Sequence, residues 1–237
     1  MRYTIPKSLL AVFLITVGLM SSASVSADVI VDYDFVSGLA ATTVSPDVTA
    51  GDFSVGTGLG SNGGRSGSGQ NLYARTSATA STLSAAMTEG DYFSFTVTPD
   101  SNMDLTSLVL DVGFTKNGSQ DGNLTVSLLT SVDNFATAVD AHAIDTTGYP
   151  SGGALTLESW TIDLSAAQIQ NISTATEFRL YLHDDVHVND LIHRIDNVVL
   201  NGTVLPQTQS ALSIDFDSSA HPVSIKSRSG AELLDGT

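Results

Sequence analysis

The chain of 237 residues carries 25 acidic and 9 basic residues and no cysteine, which gives a formal charge of −16. This charge argues against a protein that binds nucleic acid phosphates or anionic lipid headgroups over its general surface. The absence of cysteine excludes disulfides, thiol catalysis and thiolate metal sites. A hydrophobic core, with or without a structural metal, must therefore stabilise the fold.

The first 27 residues have the layout of a secretory signal peptide. Arg2 and Lys7 precede an apolar run at 9–20, and small residues follow up to Ala27. The apolar run is shorter than the roughly 20 residues of a membrane span, and the order of the three parts is typical of an exported protein. We therefore expect a signal peptide at 1–27, a secreted mature protein and no membrane insertion after cleavage. The alternative is a short membrane anchor that is retained.

From Asp28 to Val204 the sequence repeatedly alternates between apolar and polar residues. The apolar positions that share a face are Val29, Val31, Tyr33 and Phe35; Phe93, Phe95 and Val97; Leu108, Leu110, Val112 and Phe114; Leu124, Val126 and Leu128; Trp160, Ile162 and Leu164; and Phe178, Leu180 and Leu182. A period of two is typical of half-buried antiparallel strands. The sequence therefore predicts an all-β domain at 28–204, an antiparallel β-sandwich of the jelly-roll type with little helix.

Two segments interrupt or follow this pattern. Residues 56–69, GTGLGSNGGRSGSG, predict a long exposed Gly- and Ser-rich loop. The loop contains GxGxxG, but a dinucleotide site needs a helix after that motif, and the sequence shows no helical pattern there. Residues 205–237 begin with a linker-like stretch and predict one or two strands. We expect them to pack on the sandwich or to begin a truncated second domain.

Several segments between Val31 and Val204 resemble a class of secreted bacterial proteins, many of which carry a C-terminal PEP-CTERM sorting signal. The segments are VDYDF, VTAGDFSVGTGL, DYFSFTVTP, LTSLVLDV, SVDNF, FRLYL and RIDNVVLNGTV. The resemblance implies a jelly-roll sandwich similar to carbohydrate-binding modules. The sorting tail of that class, a Pro-Glu-Pro motif with an apolar span and a basic cluster, has no counterpart at 232–237. We therefore expect release rather than anchoring, unless the reading frame is truncated.

The closing segment RIDNVVL breaks the alternation, because Ile195 and Val198 fall on opposite faces of an ideal strand. A β-bulge at Asp196-Asn197 would bring both into the core. The resemblance implies that Asp196 joins Asp34 in a structural calcium site, and calcium accepts carboxylate and carbonyl oxygens as ligands. The alternative is that Asp196 only accepts backbone hydrogen bonds at the bulge.

The densest polar cluster contains His183, His187 and His193, together with several aspartates. We expect it to form a hairpin loop in which His183 and His193 face each other and His187 lies at the tip. Imidazoles and carboxylates in this arrangement would suit zinc or another transition metal. The spacing matches no established metal motif, and a solvated loop is the favoured alternative.

Aromatic residues are few. Tyr92 and Tyr181 fall on the polar faces of their strands and are predicted to stack on a sugar ring, and Tyr73 and Tyr149 are further candidates in loops. Trp160 alternates in phase with apolar residues and is predicted to lie in the core. The alternative for the tyrosines is exposure without any ligand.

The sequence has no GxSxG elbow and no P-loop, and paired carboxylates for glycoside hydrolysis cannot be recognised from spacing alone. We therefore favour a secreted, non-catalytic module that binds extracellular polysaccharide or cell-surface matrix. The alternatives are a structural surface protein without a small ligand, and a polysaccharide hydrolase or lyase.

Overall fold

The computed structural model describes residues 28–66, 70–77, 79–166, 169–185 and 191–205, and the backbone of three later strands. The predicted signal peptide and His187 lie outside the described residues. The strands are β1 (Asp28–Tyr33), β2 (Thr43–Val44), β3 (Val48–Ala50), β4 (Ser54–Val55), β5 (Gly63–Arg65), β6 (Leu72–Ala74), β7 (Tyr92–Pro99), β8 (Met103–Lys116), β9 (Asn123–Thr130), β10 (Asp140–Asp145), β11 (Leu155–Asp163), β12 (Thr176–Asp184), β13 (Leu191–Val204), β14 (Ser213–Phe216), β15 (Pro222–Lys226) and β16 (Glu232–Asp235). The described helix is α1 (Leu83–Glu89), and 3-10 turns span Gly60–Asn62 and Ser131–Asp133.

The first thirteen strands form two antiparallel sheets. Sheet A has the order β11-β8-β13-β1-β2, with β6 also paired to β13 and β5 paired to β6. Sheet B has the order β10-β9-β12-β7-β3, with β4 also paired to β7. The chain is thus an antiparallel β-sandwich, as the alternation predicts. The strands β14, β15 and β16 form a third sheet among themselves, one strand more than the sequence suggests.

The core lies between the two sheets and consists largely of the alternating residues. The predicted inward positions of β7, β8, β9, β11 and β12 are buried. An aromatic group fills the region around β1: the Tyr33 and Phe53 rings meet edge to face at 4.7 Å, and the Phe95 and Phe178 rings stack at 4.9 Å. The Tyr33 hydroxyl donates to the Gly51 carbonyl at 2.6 Å, so its polar atom is satisfied inside the core.

The prediction of inward residues from alternation is wrong at the start of β1. Val29 is exposed, whereas Ile30 and Val31 are both buried. The pairing of β1 with β13 shifts between Val29 and Val31, so a bulge changes which residues face the core. The second bulge is where the sequence predicts it. The pairing of β13 with β8 shifts between Asp196 and Val199, and Asn197 has φ of +48°.

At this second bulge, β13 changes the strand with which it pairs on one of its two sides. Before it, β13 pairs with β6 through residues 193–195, and after it β13 pairs with β1 through residues 198–202. The bulge keeps Ile195 and Val198 both in the core. The strand β13 therefore joins the part of sheet A that contains β6 to the part that contains β1.

The described part of the Gly- and Ser-rich segment, residues 56–66, is not simply a long exposed loop. It contains a 3-10 turn and β5, and Leu59 within it is fully buried. The helix α1 is capped by Thr82, whose side chain accepts from the Ala85 N–H at 3.2 Å. Gly90 ends α1 with φ of +83°, a left-handed conformation that favours glycine. Among the described residues, no helix is both long and apolar enough to cross a membrane.

Candidate functional site

The two tyrosines predicted to bind sugar lie together, but on a covered surface. Tyr92 of β7 and Tyr181 of β12 are directly opposite each other, with ring centroids 5.1 Å apart. Helix α1 packs on β12, and Tyr181 forms a small apolar cluster with Ala80, Ala86 and Leu129. Only 2% of Tyr181 is exposed. The prediction that Tyr181 presents a stacking surface is therefore wrong, because a segment distant in sequence covers the polar face of its strand.

The Tyr92 ring is also engaged. The Arg179 guanidinium lies 4.5 Å from the centre of the Tyr92 ring and 3.9 Å from that of Phe135. The Glu177 carboxylate accepts from Arg179 at 2.8 and 3.1 Å, and this pairing raises the pKa of Arg179. We call this surface of sheet B, built from Tyr92, Phe135, Glu177, Arg179 and Tyr181 under α1, the covered face. The charged groups of the covered face are therefore paired with each other, and the Arg179 guanidinium packs on its aromatic rings.

The outer surface of sheet A has a different character. Its outward side chains include Tyr73 of β6, Arg194 and Asp196 of β13, Asp111 of β8 and Leu157 of β11, and each is only half-buried. Within the described residues, no helix packs over this surface in the way that α1 covers β12. We call it the open face. Directly paired residues share a face of a sheet, so the cross-strand pairs Tyr73 with Arg194 and Asp111 with Asp196 lie side by side on it.

One end of the open face is formed by Tyr73 and Arg194. The Arg194 guanidinium carbon lies 5.8 Å from the centre of the Tyr73 ring. Its Nε donates to Thr115 Oγ1 at 2.9 Å, and one Nη donates to Asn71 Oδ1 at 3.1 Å. Burial and the nearby charge of Arg75 lower the pKa of Arg194. The guanidinium is thus fixed by neutral partners and remains charged.

The other end of the open face is acidic. Burial raises the pKa of the Asp196 carboxyl, and repulsion by Asp111 and Asp34 adds to the effect. Like charges directly opposite each other are unfavourable, and Asn197 offsets part of this by donating its amide to Asp111 Oδ2 at 2.8 Å. Sequence reasoning placed Asp196 here correctly but missed its pairing with Asp111, which depends on register.

The predicted calcium site lies at this acidic end, and its residues fit in part. Asp34 and Asp196 are close enough to influence each other, and carboxylates are ligands that calcium prefers. However, Asp34 already accepts from the Val36 N–H at 2.9 Å. Arg65 donates to the carbonyls of Phe35 and Val36, so a cation already occupies these oxygens. Over the described part of the chain, no group of three or more His, Asp or Glu side chains could hold a metal. Calcium therefore stays a prediction.

His183 and His193 do not face each other across the expected hairpin. His183 lies one residue before the end of β12 in sheet B, whereas His193 lies in β13 of sheet A, and these two strands do not pair. His193 points into the core and is 1% exposed, and neither of its ring nitrogens has a hydrogen-bond partner among the described residues. Burial lowers the pKa of His193 to about 4, with smaller effects of Asp184 and His183. Burial also lowers the pKa of His183. A metal held by His183, His187 and His193 stays a prediction, since His187 lies outside the described residues.

Two other features are structural. Trp160 lies in the core as predicted, 6% exposed, and its Nε1 donates to Asp140 Oδ2 at 3.2 Å across the edges of the two sheets. A shallow depression of 280 Å³ is lined by Ser131, Val132 and residues 170–176. It has no aromatic residue, and the Ser131 and Thr176 hydroxyls are already hydrogen bonded. The open face is therefore the stronger candidate site.

No family model and no curated protein sequence matches the chain. The likeness to the PEP-CTERM-associated class thus stays a prediction. The fold is similar to several solved structures. The mannan-recognising carbohydrate-binding module TmCBM27 is 12% identical with a TM-score of 0.43, and the match covers 76% of this chain and all of that one. The K3 cleaved adhesin domain of Lys-gingipain from Porphyromonas gingivalis is 13% identical with a TM-score of 0.39, covering 73% of this chain and 98% of the domain.

The N-terminal cellulose-binding domain of a β-1,4-glucanase from Cellulomonas fimi is also similar. It is 13% identical with a TM-score of 0.36, and the match covers 65% of this chain and 90% of that domain. At such low identity and TM-score, these similarities assign no ligand or activity to this chain.

Proposed function

We propose that this protein is an exported, non-catalytic module that binds an extracellular polysaccharide on the open face. The supporting observation is the cross-strand pair of Tyr73 and Arg194, an aromatic ring beside a fixed guanidinium on a sheet surface over which no described helix packs. Sugar rings stack their C–H faces on aromatic rings, and their hydroxyls bond to planar polar side chains. The signal peptide predicted at 1–27 supports export.

The shape of the open face favours a polymer over a small molecule. Five neighbouring strands, β5, β6, β13, β8 and β11, form this part of sheet A. At the usual strand spacing they span about 19 Å. Small molecules are usually enclosed in a concave pocket, whereas an extended chain of sugars can lie across a broad surface. Asp111 and Asp196 would accept hydrogen bonds from hydroxyls along such a chain.

A polysaccharide array with the purified protein tests this proposal. We expect binding to at least one polymer, and at least tenfold weaker binding by Tyr73→Ala. The matched control is Tyr149→Ala, which removes a tyrosine that is 44% exposed in a loop outside the open face. Melting curves of both variants check that the fold persists. Absence of binding to every polymer would contradict the proposal and favour a structural surface protein.

A second candidate function, polysaccharide hydrolysis or cleavage by a lyase, is favoured by one observation. Asp111 and Asp196 are directly opposite, and the pKa of Asp196 is raised, as an acid catalyst requires. The pair lies on an open sheet rather than in a cleft that excludes water. Release of reducing ends from a bound polymer, lost in Asp196→Asn, would establish catalysis and replace the binding-only function.

A further inference from the structure

The basic residues of this acidic chain are unevenly placed. Three of its nine basic residues, Arg65, Arg75 and Arg194, lie in or next to the neighbouring strands β5, β6 and β13. Elsewhere, Lys116 and Arg179 form ion pairs with acidic side chains, Asp121 and Glu177. Arg65 is paired with the buried Leu72 and so lies on the inner side of sheet A, whereas Arg194 is paired with Tyr73 on the open face.

Arg194 differs from the paired cations in the partners it has. Within the described residues it makes no ion pair, and its hydrogen bonds go to a hydroxyl and to an amide oxygen. The charged group that acts on it most is Arg75, which has the same sign. A half-buried guanidinium has lost part of its hydration, and a carboxylate usually compensates for that loss.

The geometry leaves Arg194 able to bind a further acceptor. A guanidinium has five N–H donors, and the bonds to Thr115 and Asn71 use two of them. The remaining donors suit a planar or tetrahedral anion, which guanidinium groups bind through parallel hydrogen bonds. The neighbouring Tyr73 ring offers a surface for the sugar that carries this anion.

We infer that the Tyr73 and Arg194 corner recognises an anionic sugar residue, a uronate or a sulfate ester, within a polysaccharide whose neighbouring sugars are neutral. The inference rests on the proposed function and specifies its ligand. The neutral neighbours follow from the position of Asp196, two residues further along β13 and hence about 7 Å away. Asp196 and the opposite Asp111 accept hydroxyl hydrogen bonds but repel a second anion.

The net charge of −16 does not prevent this contact. Charges separated by more than about 8 Å are largely screened at physiological ionic strength. The guanidinium contact acts at hydrogen-bond distance and is screened less than these distant charges, so added salt weakens it without abolishing it. The nearby carboxylates of Asp111 and Asp196 instead disfavour polymers that carry an anion on every sugar, because such polymers bring further anions close to the acidic end.

The test compares polymers that differ in the spacing of their charges. Hyaluronan carries a carboxylate on alternate sugars, kappa-carrageenan carries one sulfate per disaccharide, polygalacturonate is charged on every sugar, and dextran is neutral. We expect the protein to bind hyaluronan or kappa-carrageenan at least tenfold more tightly than polygalacturonate or dextran. The difference between the first two polymers distinguishes a carboxylate ligand from a sulfate.

Variants and salt then assign the contact to Arg194. Arg194→Gln should bind the preferred polymer at least tenfold less tightly, Arg194→Lys should be intermediate, and Asp111→Asn should gain affinity for polygalacturonate. Arg179→Gln, on the covered face, is the charge-matched control and should bind as the unaltered protein does. Added sodium chloride should weaken binding of the preferred polymer by the unaltered protein, a measurement that needs no variant to fold.

The outcomes separate this inference from the proposed function. If the protein binds dextran or another neutral polymer as tightly as any acidic one, and Arg194→Gln has no effect, the inference is wrong and the binding function stands. If polygalacturonate binds as tightly as hyaluronan and kappa-carrageenan, the requirement for neutral neighbours is wrong. If no polymer binds, both proposals fail.

Discussion

The covered face and the open face each place a tyrosine beside an arginine, yet the two pairs have different surroundings. On the covered face, Arg179 is held by the Glu177 carboxylate and lies between the rings of Tyr92 and Phe135. On the open face, Arg194 is held by neutral groups beside Tyr73. The same two residue types are therefore structural where a carboxylate and a helix complete them. Among the described residues, neither a carboxylate nor a helix completes the pair on the open face, and this is the difference on which the proposed binding site rests.

The largest expected effect is a difference in the free energy of unfolding between a variant of the covered face and a variant of the open face. Tyr181→Ala should lower the free energy of unfolding by about 3–5 kcal/mol, because it removes a fully buried ring from beneath α1. Tyr73→Ala should change it by about 1 kcal/mol or less, since its ring is only half-buried. Urea denaturation of both variants measures the difference. Equal losses would mean that Tyr73 is also a structural residue.

Acid should lower the free energy of unfolding of the whole sandwich, because His193 lies in the core between the two faces. Its pKa is lowered from 6.5 to about 4 by burial, so the folded state favours the neutral form. This contribution to stability is complete above pH 6.5 and is lost as pH falls towards 4, amounting to about 3 kcal/mol at most. Denaturation between pH 7 and 4 in the presence of a chelator measures it. His193→Leu should flatten the dependence over this window, and an unchanged slope would assign it to other groups.

Calcium should have a smaller effect, confined to the acidic end of the open face. A site at Asp34 and Asp196 would raise the free energy of unfolding by about 2.7 kcal/mol at a hundredfold excess over its dissociation constant. The measurement is the melting temperature with calcium and after chelation, in the unaltered protein and in Asp196→Asn. If chelation changes the melting temperature of neither protein, the calcium prediction is wrong. Asp196 then acts only at the bulge and towards the ligand, and Arg65 is the cation that lies in this region.

The smallest expected effect concerns the ion pair of the covered face. Glu177→Gln should cost about 0.5–1 kcal/mol, because the pair is half-buried and partly screened by solvent. It should leave polysaccharide binding unchanged. Titration of the variant with the preferred polymer checks the second statement. A loss of binding would show that the covered face takes part in recognition.

The sequence predicts the strands and one bulge well, because these depend on local alternation. The phase slip between Ile195 and Val198 was sufficient to locate the bulge in β13. The same alternation shows that Tyr181 points away from the core, but not that α1 covers it, because that contact joins distant segments. Likewise, the spacing of His183 and His193 suggests a hairpin, whereas a sandwich often sends successive strands into opposite sheets.

The site on the open face was only partly visible in the sequence. Tyr73 was expected in a loop, since a three-residue strand after a Gly- and Ser-rich segment gives little periodic signal. Arg194 and Asp196 share a face by simple alternation, and that signal was available. The opposition of Asp111 to Asp196 was not, because register between distant strands is set by the whole sheet.

The bulge at Asp196-Asn197 also determines where this chain can change in length. The residues before it follow one phase and those after it follow the other, so the bulge joins two halves of β13 that would otherwise conflict. Removing Asn197 would place Ile195 and Val198 two positions apart, so both would still face the core, whereas removing a residue elsewhere in β13 would reverse the faces of part of the strand. The exposed Asn197 is therefore a position at which β13 can lose one residue without turning its core side chains outward.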